Sequence, residues 1–181
     1  MIYDITQEVF SGKVYPGDTP PSCRKVKSIA AGDGCNLTDI EMCAHNGTHA
    51  DAPSHFIEGG KSIDRTELSR YLGECAVRAF GKRVRAEDLE GVDAPRLLIK
   101  GECVISDEAA ARMCGKFLLV GVEMQSVGGE TVHKILLGGE VAVLEGLRLA
   151  EVPEGTYFLS ALPVKLGGAD GAPVRAVLMT E

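Results

Sequence analysis

Apolar positions in this chain gather into short runs and do not form long stripes. The runs are Ile2–Ile5, Cys23–Ile29, Leu37–Cys43, Cys75–Phe80, Arg96–Ile99, Phe117–Val122, Val141–Leu144, Tyr157–Ala161 and Val174–Leu178. They are separated by stretches rich in Gly, Pro and Asp, which is the pattern of β-strands joined by tight turns. Within Leu37-Thr-Asp-Ile-Glu-Met-Cys43 the alternation is imperfect, so this run predicts a strand buried on parts of both faces.

Helical periodicity is rarer. The clearest case follows Ser106, whose hydroxyl can cap the free amides of a helix over Asp107–Cys114. Asp107 and Glu108 suit the positive N-terminal end, three alanines propagate the helix, and Gly115 stops it. Glu130–Leu137 and Glu87–Glu90 are weaker candidates. Strands outnumber helices, so the pattern predicts a single α/β domain with a mixed sheet core and a few short helices. The length of 181 residues suits one core. The 22 glycines are spread along the chain, as many tight turns require.

Composition narrows the function classes. With 45% hydrophobic and 25% charged residues the chain reads as globular. A net charge of -7 without a basic stripe disfavours nucleic acid, whose binding rests on neutralising phosphates, and also disfavours anionic lipid surfaces. Asp4 and Glu8 stand where a signal peptide needs a basic start and an apolar run, and no apolar stretch nears the roughly 20 residues that span a bilayer. A cytoplasmic protein without membrane partners is expected. Six cysteines form no CxxC pair, and several sit in apolar runs, so they read as reduced thiols packed as small hydrophobes.

The chemistry concentrates in one place. Of four histidines in the chain, three lie at 45, 49 and 55, with Asp51 between them. In an extended segment these four odd-numbered positions share a face. A straight strand from 45 to 51 spans roughly 20 Å, however, too far for one ion with ligand bonds near ~2 Å. The segment must therefore bend. Gly47 can take backbone angles closed to other residues, and Pro53 ends any helix or central strand, so a curled loop is expected. Imidazole and carboxylate suit zinc, manganese or iron(II) and do not choose among them. An aspartate can also bridge two ions.

The string HNGTHADAPSHF closely resembles the HxGTHxDxPxHF signature of the cyclase-like metal-dependent hydrolases. The resemblance continues through Tyr15-Pro-Gly-Asp-Thr19, Gly121–Ser126, His133, Val143–Leu147, Ala161–Lys165 and Asp170–Arg175, and so spans nearly the whole chain. It implies a swivelling β/β/α-type fold and a homodimer or tetramer with the active site near a subunit interface. It implies that His45, His49 and Asp51 are metal ligands, with His133 and Glu145 completing the set, and that His55 is the general acid/base. The residues alone would place His133 on a helix surface and Glu145 in solvent. The ion implied is divalent, zinc first and manganese second, one or two per site.

The reaction this resemblance implies is hydrolysis of a small carbonyl substrate by an ion-activated hydroxide, with His55 moving the protons. An arylformamide such as N-formylkynurenine is the leading expectation, and a cyclic amide, imide or lactone the alternative. Tyr15 stands where the family's formamidases carry a tryptophan against the aryl ring, and this chain has no tryptophan. Tyr15 is nevertheless the candidate substrate contact. A non-catalytic metal-binding or ligand-binding protein is the reading from another class; the histidine held beside the ligand set argues against it. Lys165, Asp170 and Arg175 read first as ordinary surface pairs, with a part in shaping the site or a subunit contact as the alternative.

Overall fold

A computed structural model describes residues 1–180 of the chain. In chain order the strands are β1 (Ile2–Asp4), β2 (Ser22–Lys27), β3 (Leu37–Glu41), β4 (His49–Asp51), β5 (Leu72–Ala79), β6 (Arg83–Val84), β7 (Arg96–Lys100), β8 (Val104–Ile105), β9 (Leu119–Val122), β10 (Ala142–Glu145), β11 (Gly155–Ser160), β12 (Gly171–Pro173) and β13 (Val177–Met179). Two α-helices occur among the described residues, α1 (Asp107–Met113) and α2 (Glu130–Gly138), with several short 3-10 segments. None of these helices is long and apolar enough to cross a membrane.

Nine strands form one mixed sheet in the order β1-β13-β11-β5-β7-β9-β10-β4-β12. Its centre, β5-β7-β9-β10, is parallel, and antiparallel strands flank it on both sides. The central strands read as continuous apolar runs because both of their faces are covered, as parallel strands require. On one face, Leu97, Ile99, Val120 and Val143 pack against Met113 of α1 and Leu136 and Leu137 of α2. On the other, Leu98 and Leu144 join a cluster that holds Ala50 and Ala172 from one end of the strand order and Leu159 and Leu178 from the other. Pro163 also bridges to Val174. The sheet thus curls onto itself and supplies its own second layer. This is the α/β fold with a mixed sheet and few helices that sequence and resemblance predict.

Helix α1 forms as its sequence dictates: Ser106 Oγ accepts the Ala109 amide at 3.1 Å, and Ala109, Ala110 and Met113 are buried. Helix α2 occupies the weaker candidate segment, and Glu87–Leu89 is a single 3-10 turn.

Three local expectations are corrected. The strand over Leu37–Cys43 does not enter the core: all five residues of β3 are exposed, and it pairs only with β2 in a separate two-stranded ribbon. Polar pairs on both faces (Ser22 opposite Glu41, Arg24 opposite Asp39, Lys25 opposite Thr38) leave that ribbon no side able to bury against a second layer. The run Val174–Leu178 is not one strand. Val174 makes only an isolated bridge to Pro163 just past β12, and Val177 and Leu178 belong to β13, which lies near the other end of the sheet order from β12, so the chain crosses over between them. Lastly, the histidine segment is not a loop throughout: His49–Asp51 is a strand hydrogen-bonded on both sides, by β10 and β12.

Candidate metal centre

The curl expected around Gly47 and Pro53 is built from short-range bonds. Asn46 Oδ1 accepts the Cys43 amide at 2.9 Å and closes a turn, and Gly47 takes a φ of +67° to leave it. Thr48 Oγ1 then donates to the Gly146 carbonyl at 2.6 Å and accepts the Gln7 amide at 2.8 Å. This fixes the start of β4 against the end of β10. Beyond β4, Pro53 opens a 3-10 turn that carries His55. The strand therefore lasts only three residues, and the chain bends at both ends of it.

Pairing does the rest. In the β4–β10 register His49 stands opposite Glu145, and His49 and Asp51 share one face of β4. Helix α2 brings His133 to the same place, with His133 Nε2 lying 3.1 Å from Glu145 Oε1 and 3.6 Å from Asp51 Oδ2. His49 Nε2 lies 3.4 Å from Asp51 Oδ1 and 3.5 Å from Glu145 Oε2. His45 Nδ1 lies 3.0 Å from Asp51 Oδ1. All five residues singled out as ligands thus converge, with Asp51 at the centre. His133 and Glu145, which the residues alone would leave at the surface, are both buried.

Two of the rings are oriented by backbone carbonyls. Nδ1 of His49 donates to Gly47 O at 3.1 Å, and Nδ1 of His133 donates to Gly129 O at 3.0 Å. A carbonyl can only accept, so each Nδ1 carries the hydrogen and each Nε2 is directed at the carboxylates, the arrangement that presents an imidazole to a metal.

The electrostatics call for a cation. Asp51 and Glu145 are buried, and none of their ion-pair partners among the described residues is a lysine or arginine. Burial raises the Asp51 carboxyl, but hydrogen bonds from His45 and His49 outweigh it and hold the group well below the usual carboxylate range. Burial depresses His49, but the bonds and charges of Asp51 and Glu145 prevail and raise it to about 10. His45 and His133 are raised for the same reasons, by Asp51 and Glu145 respectively, against their own desolvation. Without an ion, protons on these rings supply the positive charge that the carboxylates need. Asp51 Oδ2 is buried with no hydrogen-bond partner among the described residues, a cost the protein bears unless a cation meets it. The donor sets His49–Asp51–Glu145 and His45–Asp51–His55 each bring ligand atoms within 4.8 Å of one another. The nitrogen-and-oxygen donor set fits a divalent ion of the zinc, manganese or iron(II) kind.

The cluster floors a cleft of ≈ 370 Å³ whose walls include Tyr15, Asp18, His55, Phe56, Gln125 and Glu130. Tyr15 is half-exposed at the mouth, on the turn in which the Asp18 amide donates to Tyr15 O at 3.0 Å. Phe56 stacks on His133, ring centroids 4.3 Å apart. His55 stacks on His45 at 4.1 Å, and its Nδ1 lies 3.1 Å from Asp170 Oδ2.

Asp170 is the residue that sequence reasoning missed. Its carboxylate reaches both His45 and His55, yet it sits 115 residues from His55 along the chain. Nothing local separates it from Lys165 and Arg175. Those two do behave as surface charges, Arg175 pairing with Asp4 at 2.6 Å and Lys165 standing exposed.

Comparison with known proteins agrees with this geometry. A family model described as "Putative cyclase" matches residues 3–105. The chain is 33% identical to kynurenine formamidase of Maricaulis maris (strain MCS10), with 98% of this chain and 97% of that protein covered. Among solved structures it is similar to a potential metal-dependent hydrolase with cyclase activity, at 28% identity and a TM-score of 0.84 over 98% of this chain and 96% of that one. Isatin hydrolase A from Labrenzia aggregata, at 20% identity and a TM-score of 0.85 over 99% and 93% of the two chains, shares the fold.

Proposed function

The chain belongs to the cyclase family of metal-dependent hydrolases, and from that premise we propose that it is an amidohydrolase that cleaves an arylformamide such as N-formylkynurenine to the free arylamine and formate. One observation carries the reading: two buried carboxylates, Asp51 and Glu145, are set among His45, His49 and His133 at the floor of a cleft, with a fourth histidine on its wall. A binding module has no use for that fourth ring.

In this reading His45, His49, Asp51, His133 and Glu145 would hold one or two divalent ions, zinc before manganese. An ion held there supplies Lewis acidity and an acidified water at neutral pH. The chain's own residues do the remaining work. The carbonyl of the substrate enters between the cluster and His55, while Tyr15 and Phe56 take the aromatic ring against their faces. His55, whose Nε2 makes no hydrogen bond among the described residues, accepts a proton from the attacking water and returns it to the departing nitrogen. Burial of the cluster keeps bulk water from competing at the reacting carbon.

A second reading, a cyclic amide, imide or lactone as substrate, is favoured by one feature. The cleft offers Tyr15 and Phe56 as its only six-membered aromatic rings, and the chain holds no tryptophan to grip an open-chain aryl group. The deciding experiment assays metal-analysed protein against N-formylkynurenine, isatin and simple lactones, with and without chelator. We expect chelator-sensitive release of formate from N-formylkynurenine. Isatin or lactone opening alone would move the assignment to the second reading, and no chelator-sensitive turnover of any of them would remove the enzyme.

A further inference from the structure

We propose that Asp170 is a positioning residue that sets, with one carboxylate oxygen, which ring nitrogen of both His45 and His55 is free to act. The proposal rests on the functional reading above, in which His45 is a ligand and His55 moves the proton.

The geometry that points to it is specific. Asp170 Oδ2 lies 3.2 Å from His45 Nε2 and 3.1 Å from His55 Nδ1. The two imidazoles stack at 4.1 Å with planes 26° apart, so one oxygen can receive both. The main chain holds this oxygen in place: Asp170 O accepts the Ala52 amide at 2.8 Å, and Ala169 O accepts the Ile63 amide at 2.9 Å. Both donors belong to the stretch that follows β4, on either side of His55. Gly171 completes the fit. A Cβ there would stand 2.7 Å from His45 Cε1 and 2.9 Å from Ala50 O, so the ring rests against bare backbone. The Asp170-Gly171 pair is thus shaped around His45 from two directions.

The consequence follows from hydrogen-bond inventory. An ionised carboxylate only accepts, and a neutral imidazole has one N–H and one lone pair. In a neutral ring the nitrogen facing Asp170 carries the hydrogen, which leaves the lone pair on His55 Nε2; His45, with a carboxylate at each nitrogen, carries hydrogens on both without an ion and would give up the Nδ1 hydrogen to a cation. His45 Nδ1 faces Asp51 Oδ1 at 3.0 Å, inside the ligand cluster. His55 Nε2 has no hydrogen-bond partner among the described residues, on a side chain that walls the cleft. Asp170 therefore does for His45 what the Gly47 and Gly129 carbonyls do for His49 and His133. In addition it gives His55 a base at Nε2. Asp170 is not among the residues that line the cleft, and in this reading it acts only through the two rings.

The test has a readout that needs no turnover. Long-range nitrogen–proton spectra of histidine-labelled protein, with H55Q used to assign the His55 signals, report which ring nitrogen bears the hydrogen in neutral His55. We expect Nδ1–H in the wild type and a shift of the population toward Nε2–H in D170N. D170N should also lose about 10–100-fold in kcat or in metal affinity, the usual effect of removing a partner that orients a ligand, with KM nearly unchanged. Wild-type His55 protonated at Nε2, or a D170N spectrum identical to wild type, overturns the proposal. If D170N does not fold, the wild-type spectrum alone decides. Absence of any chelator-sensitive hydrolysis would count against the enzymatic reading and leave the spectral result to judge Asp170 independently.

Discussion

The histidines differ in what surrounds them, and the proposed division into ligands and acid/base follows that difference. His49 and His133 are buried, each with one nitrogen tied to a backbone carbonyl and the other set against Asp51 and Glu145. His55 is only partly buried, stacks on His45, and reaches Asp170 instead of the two buried carboxylates. We therefore expect His49→Ala and Asp51→Ala to emerge from purification with most of their metal missing. His55→Ala should retain wild-type metal while kcat falls by about 10²–10⁴, the span that one general acid/base contributes. Elemental analysis on the same preparations as the kinetics checks both. Equal metal loss in all three variants would make His55 a ligand, and full occupancy in His49→Ala would take His49 out of the set.

At the scale of elements, the site depends on how three short pieces of chain meet. Thr48 ties together the segment after β1, the start of β4 and the end of β10 through its two hydrogen bonds, at a position that is 1% exposed. Thr48→Val keeps the shape but leaves the Gly146 carbonyl and the Gln7 amide unpaired. At 1–3 kcal/mol for each buried group left unsatisfied, and with the Gln7 amide only partly buried, we expect a loss of about 2–4 kcal/mol in urea unfolding of the metal-free protein. A loss below about 0.5 kcal/mol would mean that water replaces the hydroxyl at both groups. Much of this scale was legible in the sequence where the signal was local. Ser106 announced α1, Gly47 and Pro53 announced the bends, and the apolar runs at Arg96–Ile99, Phe117–Val122 and Val141–Leu144 announced the strands β7, β9 and β10. What was not legible is set by long-range pairing. His49–Asp51 reads as loop because a glycine and a proline flank it, yet β10 and β12 make it a strand. Leu37 and Ile40 suggest a buried strand, yet no second layer reaches them. The burial of His133 and Glu145, and the service of Asp170, depend on a topology that no window of sequence contains.

Across the whole molecule, the centre links metal, protons and stability. Two carboxylates are buried in the curl of the sheet, and either protonated histidines or a divalent ion must balance them. His49 is raised from 6.5 to about 10 in the folded chain. A group whose folded pKa exceeds its unfolded one stabilises fully below the unfolded value, and that contribution is lost as pH rises through the folded value. The metal-free protein should therefore lose stability as pH climbs from about 6.5 toward about 10, as the ring protons leave and the carboxylates face one another uncompensated. A divalent ion binds the deprotonated rings, so its hold strengthens over the same range. The difference in Tm between metal-loaded and chelator-treated protein should then widen steadily from about pH 6.5 to about pH 9, because one state loses its compensating charge while the other gains affinity. Parallel thermal scans of the two states in buffers of equal ionic strength measure this directly. A gap that stays constant or narrows would mean that the buried carboxylates are balanced by something other than these histidines and the ion they hold.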